Sequence, residues 1–190
     1  VADRGLTIGM VLFDDLTQLD LTGPYEVLAR MPNTRVQLVA ERGDAVRSEG
    51  GLRIVPDVTF DDAPPYDVLC VPGGWGVNQQ LENEAMLTFL ARQGGQARYV
   101  TSVCTGSLVL AKAGLLDALR VTTHHGALDL LRELAPAATV DPAARFHDNG
   151  KIVTSAGISA GLDASLHLVE RLLGADAATA VAHQMEYRRA

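Results

Sequence analysis

Two cysteines in 190 residues are too few for a disulfide framework, and neither stands with a histidine at zinc-ligand spacing. That scarcity predicts a reducing, cytoplasmic setting. Basic charge is short as well. Sixteen Lys and Arg against 23 Asp and Glu leave a formal charge of −7, which argues against a nucleic-acid partner held by a basic surface. No apolar run reaches the roughly 18 residues a spanning helix needs, so no membrane partner is expected. The opening "VADRGLTIGM" places Asp3 and Arg4 before a short apolar run and lacks a signal-peptide pattern. No GxGxxG follows a strand, which removes the dinucleotide fingerprint. His124 and His125 are adjacent, and adjacent side chains on a strand or helix point apart, so they make a poor chelate and no metal site is expected. Repeats and low-complexity tracts are missing too.

What is present is a balance of 47% hydrophobic and 21% charged residues, that of an ordinary globular protein long enough for one domain over 1–190 with a sizeable core. Short β-branched runs alternate with helical stretches. "LTIGMVLF" (6–13), "RVQLVA" (35–40), "YDVLCVPGG" (66–74), "ARYVTSV" (97–103) and "RVTTH" (120–124) read as strands. Helices are predicted over 21–31, with Thr22 as N-cap and Pro24 near the first turn, over 82–96 with a stop at Gly94-Gly95, and over 105–116, 127–134, 160–174 and 177–187. Residues 44–60 read as a polar-tipped excursion turning at Gly50-Gly51, and 144–157 as a hairpin with a type I′ turn at Asn149-Gly150. This alternation predicts βαβ units: an α/β protein with a mostly parallel central sheet and helices on both faces.

Sites in such sheets form at the carboxyl ends of strands. Three corners qualify: 14–20 after the first strand, "PGGWG" (72–76), and "SVCTGS" (102–107). Cys104 sits where a strand feeds a helix and small residues follow it, a pattern that resembles a nucleophile elbow. A thiol at a helix start is expected to have a lowered pKa; the competing reading is a small buried core residue. Cys70, inside a strand, reads as core. Gly73 and Gly74 allow close backbone approach to a ligand, and the Gly74 and Thr105 N–H groups are candidates to hold developing charge, although a Gly-Gly turn is by itself only a turn. Asp20, between Leu19 and Leu21 at a predicted helix start, is either a cap or a partly buried carboxylate that reaches the thiol. Trp75 either narrows the pocket or covers the sheet end. His124 and His125 are candidate partners for the cysteine, the competing reading being satisfied polar histidines near the sheet edge, and His147, His167 and His183 receive no role.

Taken together and in order, "GMVLFDDLTQLDLTGPYEVL", "DVLCVPGGWG", "YVTSVCTGSLVLAKAGLLD", "VTTHH" and "TSAGISAGLDASLHLVE" resemble the ThiJ/PfpI (DJ-one) superfamily over essentially the whole chain. The resemblance implies a flavodoxin-like three-layer sandwich and a nucleophilic Cys104. In the peptidase branch a histidine follows the cysteine; Thr105 stands there here, which speaks against peptidase activity. Asp20 in "QLDLTGP", with "SVCTGS" and "TTH", looks most like the bacterial isocyanide hydratases. It implies a cofactor-free hydration of isonitriles to N-formamides through a covalent thioimidate on Cys104, with Asp20 as acid and base, a small-molecule substrate, and a homodimer. The same segments resemble the ligand-sensing domains of AraC-type regulators, which carry a basic helix-turn-helix region after the sensing domain; with no such region in the sequence up to "MEYRRA", a free-standing enzyme is the expectation. A third alternative is a redox or stress-responsive protein with glyoxalase-like activity, since a reactive thiol also oxidises readily.

Overall fold

The computed structural model describes residues 5–189; residues 1–4, with the Asp3 and Arg4 of the signal-peptide reading, and residue 190 lie outside them. The chain runs β1 (Leu6–Leu12), α1 (Gln18–Leu28), β2 (Thr34–Ala40), β3 (Val46–Arg47), β4 (Arg53–Ile54), β5 (Val58–Thr59), β6 (Val68–Val71), α2 (Val77–Gln80), α3 (Glu84–Gln96) and β7 (Tyr99–Ser102). It continues through α4 (Gly106–Lys112), β8 (Arg120–Val121), a 3-10 turn at His125–Ala127, α5 (Leu128–Leu134), β9 (Thr139–Val140), β10 (Phe146–Asp148), β11 (Ile152–Ser155), α6 (Ala160–Leu173) and α7 (Ala175–Gln184).

Seven strands form the main sheet in the order β10-β11-β7-β6-β1-β2-β5, parallel throughout except for β10 against β11. Every residue of β6, β7 and β11 is buried, because helices cover both faces; β6 is apolar throughout, while β7 and β11 each end on a buried Thr-Ser pair. Helices α1, α6 and α7 pack together, as do α3, α4 and α5. Ile8, Met10, Leu69, Phe89, Leu110 and Leu116 are fully buried between the layers, each worth roughly 1.5–3 kcal/mol of removal from water.

Several expectations need correction. Helix α1 begins at Gln18, with Thr17 as its cap residue, so Thr22 lies inside it and Pro24 stands in its interior. Pro24 has no N–H to give back to the Asp20 carbonyl one turn earlier. Helix α3 continues through Gly94-Gly95 to Gln96, because Gly94 lies tight under Leu115, where a Cβ would come within 2.9 Å of its Cδ1. The Asn83 side chain starts that helix by accepting from the N–H groups of Ala85 and Met86. The 44–60 excursion folds as the β3–β4 hairpin and the edge strand β5. Strand β8 pairs with β9 in a separate two-stranded sheet. In the β10–β11 hairpin only Gly150 takes positive φ, at +86°, followed by Lys151. Asn149 is fixed instead by exchanging hydrogen bonds with the Arg120 backbone, a pattern of φ signs that fits a II′ turn rather than the expected I′.

Candidate active site

Strands β1, β6, β7 and β11 run parallel, so the segments that leave them, 13–17, 72–76, 103–105 and 156–158, emerge at one end of the sheet. Chain order reverses between β1, whose next strand lies on one side, and β6 on its other side, and ligand crevices open at such points. The three corners singled out in the sequence do meet here. Thr17 N–H donates to the Gly73 carbonyl at 2.9 Å, and Gly76 N–H to the Asp15 carbonyl at 3.0 Å. Gly73 is required by contact: a Cβ there would lie 2.5 Å from Thr105 N and 2.9 Å from the Cys104 Cβ. At Gly74, φ of +130° is a conformation side chains disfavour.

Cys104 takes φ of +57°, a left-handed backbone that costs a non-glycine residue of order 1–2 kcal/mol. Its surroundings hold that conformation. Its N–H donates to the carbonyls of Ser155 and Ala156, both at 3.2 Å, and its carbonyl accepts from Thr123 Oγ1 at 2.9 Å and Ser107 Oγ at 3.3 Å. The side chain is 5% exposed. Cys70 is buried within β6, as expected.

Asp20 lies in the first turn of α1 and is 2% exposed, so the choice between cap and buried carboxylate falls to the second. Its Oδ2 accepts from Gly73 N–H at 3.0 Å, while Oδ1 is buried without an N–H or O–H donor. The remaining hydrogen-bonding group at this carboxyl is the Cys104 thiol. Burial raises the Asp20 pKa to about 7; the Gly73 and Cys104 hydrogen bonds oppose the shift and the Glu49 charge adds to it. The thiol corrects the expectation of a lowered pKa. Burial, and then the adjacent Asp20 charge, push Cys104 up to about 12, against the opposing hydrogen bonds from the Thr105 and Ile158 N–H groups. Burial outweighs the effect of the helix start here.

The Thr105 N–H thus faces the sulfur. Gly74 N–H instead donates to Thr105 Oγ1 at 3.0 Å, so the threonine hydroxyl occupies the second candidate donor. The Ile158 N–H is a group sequence reasoning missed. It comes from the loop after β11, with Ile158 at φ of +33°, and a backbone N–H direction leaves no mark in residue type.

A cleft of about 370 Å³ opens onto this corner, walled by Trp75, Val77, Leu108, Leu130 and Ile158, with Thr17 and Glu49 at one side and His124 at another. Trp75 is 77% exposed and forms a rim rather than a lid on the sheet end. His124 Nδ1 accepts from Gly126 N–H at 3.2 Å, and its pKa is lowered by burial and by His125. The two histidines do not point apart: in the turn they occupy, their rings lie 4.2 Å centroid to centroid. His147 and His167, given no role, are paired with Asp141 and Asp148. Among the described residues no group of three or more His, Cys, Asp or Glu is placed to hold a metal ion, and no helix is long and apolar enough to cross a membrane.

The model of the DJ-1/PfpI family matches residues 7–171. The chain belongs to the DJ-1/PfpI family. Among DJ-1/PfpI relatives, an isonitrile hydratase of Pseudomonas putida is 49% identical over 182 residues, covering 96% of this chain and 78% of its own. The HTH-type transcriptional regulator GbdR of Pseudomonas aeruginosa is 34% identical over 190 residues, covering 96% of this chain and 51% of its own. A ThiJ/PfpI family protein from Pseudomonas syringae superposes with a TM-score of 0.92 at 34% identity, covering 98% of this chain and 76% of that one. Drosophila melanogaster DJ-1beta superposes at 0.86 with 21% identity over 97% and 100% of the two chains, which shows the shared α/β fold.

Proposed function

We propose that the protein hydrates isocyanides to N-formamides, with Cys104 as nucleophile on an elbow and Asp20 as its acid and base. The observation that carries this reading is the buried Asp20–Cys104 pair at the mouth of an apolar cleft, with Thr105 where a peptidase would have histidine. The 49% identity to an isonitrile hydratase supports the substrate class.

An isocyanide carbon is electrophilic toward a soft nucleophile, and its apolar substituent suits the cleft. Cys104 does not wait as a thiolate. Asp20, which ionises near neutral pH, takes the thiol proton as sulfur bonds to the terminal carbon, then returns it to that carbon. R–N≡C becomes R–N=CH–S–Cys104. Water adds to this carbon while a water proton passes through Asp20 to nitrogen, giving R–NH–CH(OH)–S–Cys104. Collapse releases R–NH–CHO, and the hydroxyl proton returns to sulfur. The sequence of steps is redox-neutral and calls for no cofactor. The Thr105 N–H steadies the sulfur as charge shifts, and the Gly74 N–H joins it when the Thr105 hydroxyl turns away. Gly73 holds Asp20 in place. His124, whose Nδ1 is taken by the Gly126 N–H, serves as cleft wall together with Trp75. We place this enzyme in the cytoplasm as a homodimer, on its two free cysteines and the family resemblance.

The test is incubation with an ultraviolet-absorbing aryl isocyanide. Formamide should accumulate with the native protein and not with Cys104→Ala; turnover by a folded Cys104→Ala protein overturns the scheme. The match to GbdR favours one second reading, a sensing domain that binds a ligand in the same cleft without consuming it. Ligand binding with no formamide would select it.

A further inference from the structure

The cleft carries one ionisable side chain whose charge the scheme above does not use. Glu49 lies in the turn of the β3–β4 hairpin, and its position is built rather than free. Its N–H donates to the Leu16 carbonyl at 3.0 Å, and its Oε1 accepts from Thr17 Oγ1 at 3.0 Å. The hairpin is itself tied to the loop after β1, through Asp15 N–H to the Arg47 carbonyl at 2.7 Å and Arg47 N–H to Asp14 Oδ1 at 2.8 Å. The carboxylate is therefore fixed on the wall that also carries Thr17, Gly74 and Trp75. Among the described residues, none that lines this cleft is lysine or arginine, and the other titratable groups in the lining are His124 and the Cys104 thiol. Asp20, behind the thiol, feels Glu49 as a like charge. The remaining wall is apolar or neutral, so Glu49 is the one carboxylate that an entering molecule meets among the described residues lining the cleft.

Resting on the hydratase reading, we propose that Glu49 determines the charge preference of the cleft, favouring neutral and cationic isocyanides and rejecting those that carry a carboxylate. A cationic substituent gains attraction on the way to Cys104. An anionic one meets the Glu49 charge at once and Asp20 when that group is ionised. Because attraction and repulsion compound, the cation-to-anion ratio is the sensitive quantity, about tenfold at low salt for an exposed carboxylate.

Two arms test this. In the first, Cys104 is labelled with two methanethiosulfonates matched in size, one bearing trimethylammonium and one sulfonate, with Cys104→Ala as the blank. The native protein should label faster with the cation, by about tenfold at low ionic strength and approaching parity at high salt; Glu49→Gln should bring the two rates together. Equal ratios in the native protein and Glu49→Gln, or a native ratio indifferent to salt, overturn the proposal. Where Glu49→Gln folds poorly, Glu49→Ala takes its place, and a native cation-to-anion ratio kept by that folded variant overturns the proposal. In the second arm, kcat/KM is compared for a neutral alkyl isocyanide, one with a tertiary amine, and isocyanoacetate. The order amine, neutral, carboxylate in the native protein, flattened in Glu49→Gln, supports the proposal, and an unflattened order overturns it. Failure of all three substrates overturns the hydratase reading instead, while the labelling arm still decides the role of Glu49.

Discussion

Cys70 and Cys104 make a controlled comparison inside one molecule. Both are free, both are buried, and both have thiols pushed up to about 12 by burial. Burial and acidity therefore do not separate the proposed nucleophile from a packing residue here. The neighbours do. Cys70 sits within β6, lines no part of the cleft, and burial accounts for all of its shift. Cys104 sits one step beyond a strand in a left-handed conformation, meets the carboxyl of Asp20 and two backbone N–H groups, and lines a cleft. A thiol with an adjacent proton acceptor that titrates near pH 7 can react without being ionised beforehand.

The largest expected contrast is between Cys104→Ala and Cys70→Ala. The first should lose formamide production by on the order of 10³-fold or more. The second should keep its turnover and lose about 1 kcal/mol of stability by denaturant unfolding, the cost of a small core void. Equal losses of activity would erase the distinction. Next, Asp20→Asn keeps the shape of the pair and removes its base, and kcat should fall by about 10²- to 10³-fold. In the native protein the rate should rise with pH through about 7 as Asp20 ionises, and the variant should lack that limb. A near-native rate for Asp20→Asn would leave the carboxylate a structural role only.

The alternation of strands and helices, and the three corners that converge, were legible because parallel strands buried on both faces are rich in apolar and β-branched residues, and sharp turns into helices favour small ones. Cys104 stood out at the end of a strand run, and Asp20 as an acid between Leu19 and Leu21 at a predicted helix start. The rest lies in geometry that residue types do not record. Which glycine N–H holds Asp20, Gly73 or Gly74, depends on the twist of one turn. Ile158 contributes only backbone, and from a distant loop. The thiol's pKa went the other way because a sequence shows the start of α4 but not the depth at which Cys104 lies. Asn149 was assigned a turn position on its own propensity, and a tie to Arg120 decides its conformation.

Stability offers a finer contrast. Native Asp20 keeps its proton up to about pH 7, whereas an unfolded aspartate releases it near 3.8, so between those values the native state binds more protons. Stability should therefore fall as pH rises from about 4 to 7, by on the order of 4 kcal/mol from this group, and Asp20→Asn should remove that part of the slope. Urea unfolding at a series of pH values checks it, and parallel profiles for the two proteins would count against a buried carboxyl. The smallest effect concerns the backbone of the corner. Thr123→Val removes one buried hydrogen bond to the Cys104 carbonyl and should cost about 1–2 kcal/mol, with a decline in kcat because the left-handed turn loosens; the equivalent loss around Cys70 would leave kcat alone.

The central claim is that Cys104, partnered by Asp20, bonds to the substrate carbon. Rapid quenching of an aryl isocyanide reaction, followed by intact-mass and peptide mass spectrometry, tests it most directly. The account predicts a transient adduct of one isocyanide on Cys104, none on Cys70, decaying as formamide appears. Formamide forming at full rate with no adduct on Cys104 would contradict it.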